Sequence, residues 1–331
     1  SCDYSPVDIC PQNHPVVNDN SYGGHFILCI GQENVSISGP GTIDGNSPVF
    51  TYTPEGKAYG AKKDLPWRPG QMIYCVESRN LSFDGISLVD SPYWNLYLYG
   101  CTDVRIEGLD IESRRMPVSW NGDGIDIDCC RNVTVRNCRI RTNDDCIAIR
   151  SDRRWLTKPQ DCSMISVSGC DLSSLTSAVR LGVGNGAIRG VDLSSLNIHG
   201  TRSAFSFTAG WSSRTRGVDI SDVSIRDVNV DTTVIFLQMY PKMAKPSVST
   251  RGVSFSNIRA KVELTSQMYG HPETHYSEIS FRDVCMNMPI DTCNVDRISV
   301  NGDGVRFVSL SPASREELER IARICVEHDI Y

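Results

Sequence analysis

Short runs of alternating apolar and polar residues recur along most of this 331-residue chain. They begin at Asn34 (NVSISG), Asn80 (NLSFDG), Asp103 (DVRIEG), Asn132 (NVTVRN), Gly217 (GVDISD), Gly252 (GVSFSN) and Ser277 (SEISFRD). The step from Asn80 to Asp103 is 23 residues, and the step from Asp103 to Asn132 is 29 residues. Alternation bounded by Gly, Asn and Asp is typical of strands, and recurrence at such a period indicates the coils of a solenoid.

The recurring strands predict an all-β parallel β-helix in which each coil stacks on the next, about 4.8 Å away. No helical pattern separates the runs, which disfavours alternating strand and helix units. A β-sandwich and a propeller are alternatives, but the Asn and Gly turns recur too regularly for the first, and the blade motifs of the second are missing. Inward-facing Ile, Val, Leu and Cys would form ladders along the core.

No linker composition divides the chain, so residues 1–331 are predicted to form one domain. Residues 1–21 are predicted to be an irregular N-terminal segment. Residues 311–327 are predicted to form a C-terminal helix that caps the open end of the coil. Ser314 suits the N-cap of this helix. Its apolar stripe consists of Leu318, Ile321, Ala322 and Cys325.

The charge balance disfavours a dedicated nucleic-acid-binding protein. There are 33 Lys and Arg against 39 Asp and Glu, so the formal net charge is -6, and no basic block stands out. The chain has no apolar run of about 18 residues, which disfavours a membrane span, and no Gly-rich phosphate loop before a helix. We therefore predict no nucleic acid, no membrane, no obligate protein partner and no cofactor.

The fourteen cysteines lack the paired spacing of zinc sites. Five lie inside apolar runs and are predicted to be buried free thiols: Cys29, Cys75, Cys138, Cys146 and Cys170. Others lie nearer to loops and are candidates for pairing in an exported protein: Cys129, Cys130, Cys162, Cys285 and Cys293. His271 and His275 flank Pro272, which forbids a regular helix carrying both on one face, so a metal pair is disfavoured.

Aspartates are concentrated between Trp120 and Ser151. The five are Asp123, Asp126, Asp128, Asp144 and Asp145. Asp123 and Asp144 are 21 residues apart, about one coil, and should lie on the same wall in adjacent coils. Asp144 and Asp145 are consecutive, so the chain must bend for both side chains to face outward.

Crowded carboxylates have unequal pKa values, because like charges keep one group protonated while the others stay ionised. This division suits an acid and a base. Glycoside hydrolysis uses such a pair, with one carboxyl protonating the leaving oxygen and one activating water. Two other interpretations stay open from the spacing alone: a polar turn without chemistry at Asn143–Asp145, and a calcium site built from carboxylate oxygens.

The same stretch resembles the polygalacturonase-type glycoside hydrolases of family 28. Their pattern of N-T-D-G-I-D, a strand pair and G-D-D-C-I-A-I is similar to NGDGID from Asn121 and NDDCIAI from Asn143. SPYWN from Ser91 is similar to their S-P-x-W segment, and SGPGTIDG from Ser38 is similar to their early G-x-G-T-I-D-G turn. The resemblance covers about residues 22–281.

The resemblance implies a right-handed parallel β-helix and an inverting hydrolase. Carried over by motif, Asp144 would be the general acid, and Asp123 and Asp145 would be the pair that activates water. Asp126 would be a supporting acidic neighbour in the substrate site.

The chain departs from the family pattern in the next coils. In TSAVRLG from Thr176, Ser177 stands where the family's G-H-G-x-S-I-G has its His, and Arg180 is an addition. The family's R-I-K, which grips a uronate carboxylate, would fall at Ser206–Thr208 and is absent. A plain polygalacturonase is therefore disfavoured, and a relative that acts on another sugar linkage, in an exo mode, is favoured.

Further substrate-binding residues are predicted from their place on the coils beside the aspartates. They are Arg150, Arg154, Trp155, Arg180, Trp211 and Tyr240. Arginines would bind an acidic sugar, aromatic rings would stack on a sugar ring, and Tyr240 matches a Q-x-Y of the family. Arg150, Arg154 and Trp155 are predicted to lie in a loop at the same wall, and the alternative for them is a solvated loop with one packed Trp. The alternative for Arg180 is an ion pair with an aspartate.

We predict a glycoside hydrolase that acts on a pectin-like or other polysaccharide or oligosaccharide. It is expected to be secreted or periplasmic, since a start at Ser1, which is no signal peptide, is compatible with a trimmed mature chain. Two other classes stay open. One is a polysaccharide lyase on the same fold, with an Arg or Lys base and often Ca²⁺. The other is a non-catalytic carbohydrate-binding β-helix whose aspartates have no chemical role.

Overall fold

The computed structural model describes residues 24–48, 69–114, 121–210, 216–242, 245 and 247–310. Within these residues a short 3₁₀ helix, Arg153–Trp155, lies among parallel strands. In chain order, the strands are β1 (Ile27–Ile30), β2 (Glu33–Ser38), β3 (Thr42–Asp44), β4 (Ile73–Val76), β5 (Arg79–Asp84), β6 (Ser87–Val89), β7 (Leu96–Tyr99), β8 (Thr102–Glu107), β9 (Asp110–Glu112), β10 (Ile125–Asp128), β11 (Arg131–Arg136), β12 (Arg139–Thr142), β13 (Ile147–Ser151), β14 (Cys162–Ser168), β15 (Asp171–Ser174), β16 (Ser177–Gly184), β17 (Ala187–His199), β18 (Ser203–Gly210), β19 (Asp219–Thr233), β20 (Ile235–Lys242), β21 (Thr250–Val262), β22 (Ser266–Tyr269), β23 (Tyr276–Met286), β24 (Ile290–Cys293), β25 (Val295–Asn301) and β26 (Phe307–Ser309).

The strands wind into three walls. The first wall is an 11-stranded sheet in the order β1-β4-β7-β10-β13-β16-β18-β20-β22-β24-β26. A 15-stranded sheet makes the other two walls, which are separate columns in the early coils and join at β17, a strand that pairs with both β14 and β15. The predicted all-β, right-handed parallel β-helix is confirmed. Among the described residues, no helix is long and apolar enough to cross a bilayer.

Several predictions fall on residues outside the described part of the chain. They are the irregular segment 1–21, the C-terminal helix 311–327 and the groove residue Trp211.

Asparagine and aspartate occupy the second position of β2, β5, β8 and β11. Asn34, Asn80, Asp103 and Asn132 have φ values of 59°, 55°, 57° and 57°, a left-handed conformation that these short polar residues tolerate. Their side chains also bond between coils, since Nδ2 of Asn80 donates to Oδ1 of Asn34 and Nδ2 of Asn132 donates to Oδ1 of Asp103, both at 2.6 Å. The recurring Asn-Val and Asn-Leu pairs thus mark one corner of each coil.

Inward side chains stack in ladders because the strands are parallel and in register. On the first wall one such ladder runs through Ile73, Leu96, Ile125, Ile147 and Val179, all fully buried. Their burial provides the main stabilisation of the coil. Because successive side chains of a strand point to opposite faces, the other residues of these strands point outward. The aspartates lie on this outward face.

The cysteines contribute to the core as thiols. Those predicted to be buried and free are so: Cys29, Cys75, Cys138, Cys146 and Cys170. The prediction that Cys129, Cys130 and Cys162 are loop residues available for pairing was wrong, because they are buried in or next to strands and are free. Sγ of Cys130, for example, donates to the Leu98 carbonyl at 3.3 Å.

Thiol labelling of the native protein should distinguish these two environments. Cys285 is exposed, so Cys285→Ser should remove one equivalent of the thiols that react rapidly with a chromogenic disulfide reagent. Cys138 is buried and its replacement by Ser should leave the rapid phase unchanged, because a buried thiol reacts only after local opening. Loss of a rapid equivalent in Cys138→Ser would contradict the placement of this residue.

Candidate active site

Asp123 is held at the entrance to β10 by its backbone. The backbone N–H and Nδ2 of Asn95, one coil earlier, donate to the Asp123 carbonyl at 2.9 and 2.8 Å. Gly124 follows, and a Cβ there would lie 2.5 Å from the Cys146 carbonyl oxygen and 2.6 Å from Ile140. Only glycine lets the neighbouring coil approach this closely. The D-G-I-D sequence therefore places the Asp123 side chain against the next coil.

Asp144 and Asp145 lie on a bend between β12 and β13, as their adjacency predicts. Asn143 anchors the bend, since its Oδ1 accepts from the Gly122 N–H at 2.9 Å and its Nδ2 donates to the Ser113 carbonyl at 2.7 Å. The hydroxyl of Thr142 donates to the Asp144 carbonyl at 2.5 Å. These bonds fix the backbone so that both carboxyls face the outer side of the first wall.

The structure brings Asp123, Asp144 and Asp145 together. One carboxylate oxygen from each lies within 4.8 Å of the others. The register pairs Ile125 with Ile147, so Asp145, not Asp144, lies directly over Asp123. The 21-residue spacing between Asp123 and Asp144 thus falls one residue short of the coil at this point.

Two side chains of the following coil contact this trio. Nε of Arg180, on β16, donates to Oδ2 of Asp145, and its Nη2 lies 3.7 Å from Oδ2 of Asp123. The Arg180 side chain is only 14% exposed. The Thr176 hydroxyl lies 3.1 Å from Oδ1 of Asp144 and 3.1 Å from Oδ1 of Asp145. The guanidinium thus lies against Asp123 and Asp145, while the hydrogen-bond donors to Asp144 are neutral: the Thr176 hydroxyl and the Asp145 N–H.

Burial dominates the electrostatics of the trio. It raises the pKa of Asp144 to about 6, and the like charge of Asp145 adds to this, while Arg180 and the Thr176 hydroxyl oppose it. Burial also raises the pKa of Asp123 well above its ordinary value, the neighbouring aspartates reinforce the rise, and Arg180 opposes it. Asp144 and Asp123 therefore retain protons in mildly acidic solution, which acid catalysis requires.

Asp126 and Arg150 belong to a buried network on the same wall as the trio. Nη1 of Arg150 lies 3.8 Å from Oδ1 of Asp126, its Nε lies 3.4 Å from Oδ2 of Asp128, and its guanidinium lies 4.7 Å from the centre of the Trp94 ring. The placement of Arg150 in a loop was wrong: it lies in β13, and its side chain is 7% exposed. Strand alternation continues through this residue and turns its side chain toward Asp128.

Arg154 and Trp155 lie on the short 3₁₀ helix. Arg154 pairs with Asp152, the residue that caps this helix, at 2.5 Å. The N–H of Trp155 donates to the Tyr99 hydroxyl at 3.1 Å, while the residue is 45% exposed. Trp155 therefore presents a ring to solvent beside the trio's wall, and Arg154 is committed to Asp152.

The outer face of the first wall changes character along the coil. Toward the N-terminus it is filled by fully or nearly fully buried aromatic side chains: Tyr74, Tyr93, Trp94, Tyr97 and Tyr99. The Tyr74 and Tyr97 rings stack with centroids 4.8 Å apart, and the Tyr97 hydroxyl donates to Oδ2 of Asp128 at 3.2 Å. This side of the trio is closed by packed rings.

Toward the C-terminus the same face carries neutral polar groups and is partly open. In register with Arg180 are Ser206 and then Gln238 and Gln267. The hydroxyls of Ser206 and Thr208 lie 3.2 Å apart, and both residues are buried. Tyr240, in register with Thr208, is half-buried on this face. The two positions where the family resemblance would place Arg and Lys thus carry bonded hydroxyls.

Thr176 is a functional candidate that the sequence analysis did not select. Thr176 lies within the stretch that departs from the family pattern, where attention fell on Ser177. Ser177 is buried, and its hydroxyl accepts from the Ser203 hydroxyl at 3.1 Å. The departure from the family pattern was the usable signal, but only the coil geometry shows which hydroxyl reaches the carboxyls.

Three carboxylate oxygens this close together have the chemistry to bind a hard cation. Arg180 already supplies positive charge to two of the three, so the calcium interpretation gains no support from the geometry. Carboxyls with raised pKa values, Asp144 and Asp123, next to a carboxylate bonded to a guanidinium, Asp145, are the arrangement of an acid and a base.

Comparison with known proteins shows which family the sequence matches. The family model described as "Glycosyl hydrolases family 28" matches residues 12–308. A probable polygalacturonase from Vitis vinifera is 23% identical over 310 residues, which is 87% of this chain and 60% of the relative. An exopolygalacturonase from Platanus acerifolia is 24% identical over 247 residues, or 69% of this chain and 59% of the relative. The chain thus spans less than two thirds of these relatives.

Solved structures share the fold at low identity. An exopolygalacturonase from Thermotoga maritima has a TM-score of 0.66 and 18% identity, with 90% of this chain and 73% of that chain covered. A polygalacturonase from Erwinia carotovora ssp. carotovora has a TM-score of 0.65 and 19% identity, with 91% and 78% covered.

Proposed function

The chain belongs to glycosyl hydrolase family 28, and on that premise we propose that it hydrolyses glycosidic bonds in a pectin-like or related carbohydrate. The observation that carries the proposal is the close group of Asp123, Asp144 and Asp145, with Arg180 on two of them. A polymer of this kind lies outside the cell, so we infer that the enzyme is secreted or periplasmic. The substrate is its only proposed partner.

In the proposed reaction Asp144 is the general acid. Its proton goes to the leaving oxygen as the glycosidic C–O bond breaks, and water forms the new bond to the anomeric carbon. The second proton of that step, from the water, goes to Asp145. Asp123, whose pKa burial raises, orients the water, and Arg180 balances the negative charge of the pair before the proton arrives.

Inversion at the anomeric carbon is part of the proposal. The oxygens of the trio lie within 4.8 Å, a separation nearer to the roughly 5–5.5 Å typical of retaining enzymes than to the roughly 6.5–9.5 Å of inverting ones. The pairing of Asp123 with Asp145 favours inversion, because two carboxyls side by side can hold a water between them. The anomeric form of the product decides between the two.

We further propose an exo-acting enzyme that is not a plain polygalacturonase. The packed rings of Tyr74 and Tyr97 close the wall on one side of the trio, which suits a site that accepts a chain end. The hydroxyls of Ser206 and Thr208 occupy the positions of the uronate-gripping cations, which suits a neutral or masked sugar at this subsite.

Incubation with a panel of plant and algal polysaccharides and their oligosaccharides tests the proposed function. We expect release of reducing ends as short products, with little loss of viscosity, because cleavage proceeds from a chain end. A rapid fall in viscosity would contradict the exo mode. If the protein binds members of the panel but releases no product from any of them, it is a carbohydrate-binding protein and not a hydrolase.

The activity should fall as the pH rises through about 6, the pKa to which burial raises Asp144. A general acid works only while protonated, so the active fraction is complete below this pKa and is lost above it. The measurement is kcat/KM between about pH 4 and pH 8 on an uncharged substrate, which has no titration of its own. A profile that is flat or rising across this range would contradict the assignment of Asp144.

A further inference from the structure

Thr176 lies between β15 and β16, one coil beyond Asp144 and Asp145, and its position is fixed. Its backbone N–H donates to the Ser174 hydroxyl oxygen at 2.9 Å. The Ser174 hydroxyl donates its own hydrogen to the Asp144 carbonyl at 2.6 Å. The Thr176 hydroxyl is thereby tied to the same bend that presents the two carboxyls.

The Thr176 hydroxyl has one hydrogen and two carboxyl neighbours. It lies 3.1 Å from Oδ1 of Asp144 and 3.1 Å from Oδ1 of Asp145. A hydroxyl donates to one acceptor at a time, so it stabilises whichever of the two carboxyls carries more negative charge. Oδ1 of Asp144 has a second donor, the Asp145 N–H at 3.0 Å, which leaves Oδ2 as the oxygen to carry the acid proton.

We propose that Thr176 is a positioning residue, an inference that rests on the proposed function. Its hydroxyl hydrogen turns from Asp145 to Asp144 as negative charge moves from the base to the acid. Asp145 gains a proton from water and Asp144 gives its proton to the leaving oxygen. The O–H bond of Thr176 stays intact throughout and only rotates. The donor therefore follows the charge without any reorganisation of the backbone, which is the property of a preorganised site.

The charged groups that face Asp144 are Asp145 on the same bend, Asp123 before β10 and Arg180 on β16. The Thr176 hydroxyl is the neutral donor among them, and it lowers the pKa of Asp144 against the effect of burial. Removing it should therefore raise that pKa, and the high-pH limb of the activity profile should move upward.

The first test compares Thr176→Val with Thr176→Ser. Valine keeps the shape and removes the hydroxyl, so kcat should fall by about 10- to 100-fold, the range for a hydrogen bond to a charged group, with KM within about twofold. The high-pH limb of the activity profile should move to higher pH in Thr176→Val. In Thr176→Ser it should lie at the wild-type pH. Thr134→Val, on the outer side of β11, is the matched control and should change neither quantity.

The second test needs no substrate. The ¹³C carboxyl resonance of Asp144, assigned by its loss in Asp144→Asn, is titrated in wild type and in Thr176→Val, and its midpoint should lie at higher pH in the variant. An unchanged midpoint, or equal activity of Thr176→Val and wild type, would overturn the role of Thr176. A wild type that hydrolyses nothing would overturn the proposed function instead, and the titration would still decide whether the hydroxyl acts on Asp144.

Discussion

Replacing Asp144 by asparagine should lower kcat by about a thousandfold, the middle to upper range for loss of a general acid. Asparagine keeps the oxygen that accepts from Thr176 and from the Asp145 N–H, so the bend should persist and only the proton donor is lost. The rate of product release is measured on the best substrate of the panel. Wild-type-like turnover in this variant would remove Asp144 from the mechanism.

The same variant should be at least as stable as wild type near neutral pH. The pKa of Asp144 is raised from 3.8 to about 6 in the folded protein, so the wild type loses stability as the pH rises between these values. The asparagine side chain does not ionise, and Asp144→Asn should therefore gain about 3 kcal/mol at pH 7 and nothing below pH 3.8. Asp192→Asn, at a partly exposed ion pair with Arg226, is the control and should retain full activity.

Replacing Arg180 by methionine should destabilise the protein by about 3–5 kcal/mol near neutral pH, the usual cost of breaking a buried ion pair from one side. Asp145 loses its bonded guanidinium, and Asp123 loses the charge that lies 3.7 Å away. The deficit should shrink in acid, because the carboxyls left behind become neutral once they are protonated. Denaturant unfolding at neutral and acid pH measures both effects.

Arg180→Lys is the matched variant, since it keeps the charge and loses the planar fork. It should recover part of the stability and part of the activity. The outcome also separates two roles for Arg180. An arginine that serves only to bind a substrate carboxylate would leave a stable Arg180→Met protein with a raised KM, and that result would contradict the charge-balancing role.

The fold was predictable because its signal is repeated. Each coil renews the alternation of apolar and polar residues, and the turn residues Asn34, Asn80 and Asn132 recur at one corner with the same left-handed backbone. The gathering of Asp123 with Asp144 and Asp145 followed from a spacing close to one coil. Neither inference needed side-chain detail. In a parallel β-helix, the position of a residue within its coil determines the wall on which it lies, and the number of the coil determines its position along the helix axis.

The site was predictable only in part, because coil lengths vary. The register that pairs Ile125 with Ile147 puts Asp145, not Asp144, over Asp123, and the register that pairs Asp128 with Arg150 makes an internal ion pair of a residue expected to bind substrate. A shift of one residue along a strand exchanges the inner and outer faces. Spacing that is known to within one residue therefore cannot tell a substrate ligand from a structural partner.

Thr176 illustrates a second limit. A single threonine in a turn carries no periodic signal and no charge, so the sequence gives it no weight. Its importance comes from two distances of 3.1 Å to carboxyls on the preceding coil, and those distances depend on the three-dimensional path of the turn between β15 and β16.

The anomeric form of the first sugar released distinguishes inversion from retention at the trio. Proton NMR is recorded within minutes of adding wild-type enzyme to an oligosaccharide that the panel has identified, before mutarotation mixes the anomers. We expect a product of inverted configuration from the wild type and none from Asp144→Asn. A product of retained configuration would make one of the trio a nucleophile and contradict the assignment of Asp123 and Asp145 as the pair that activates water.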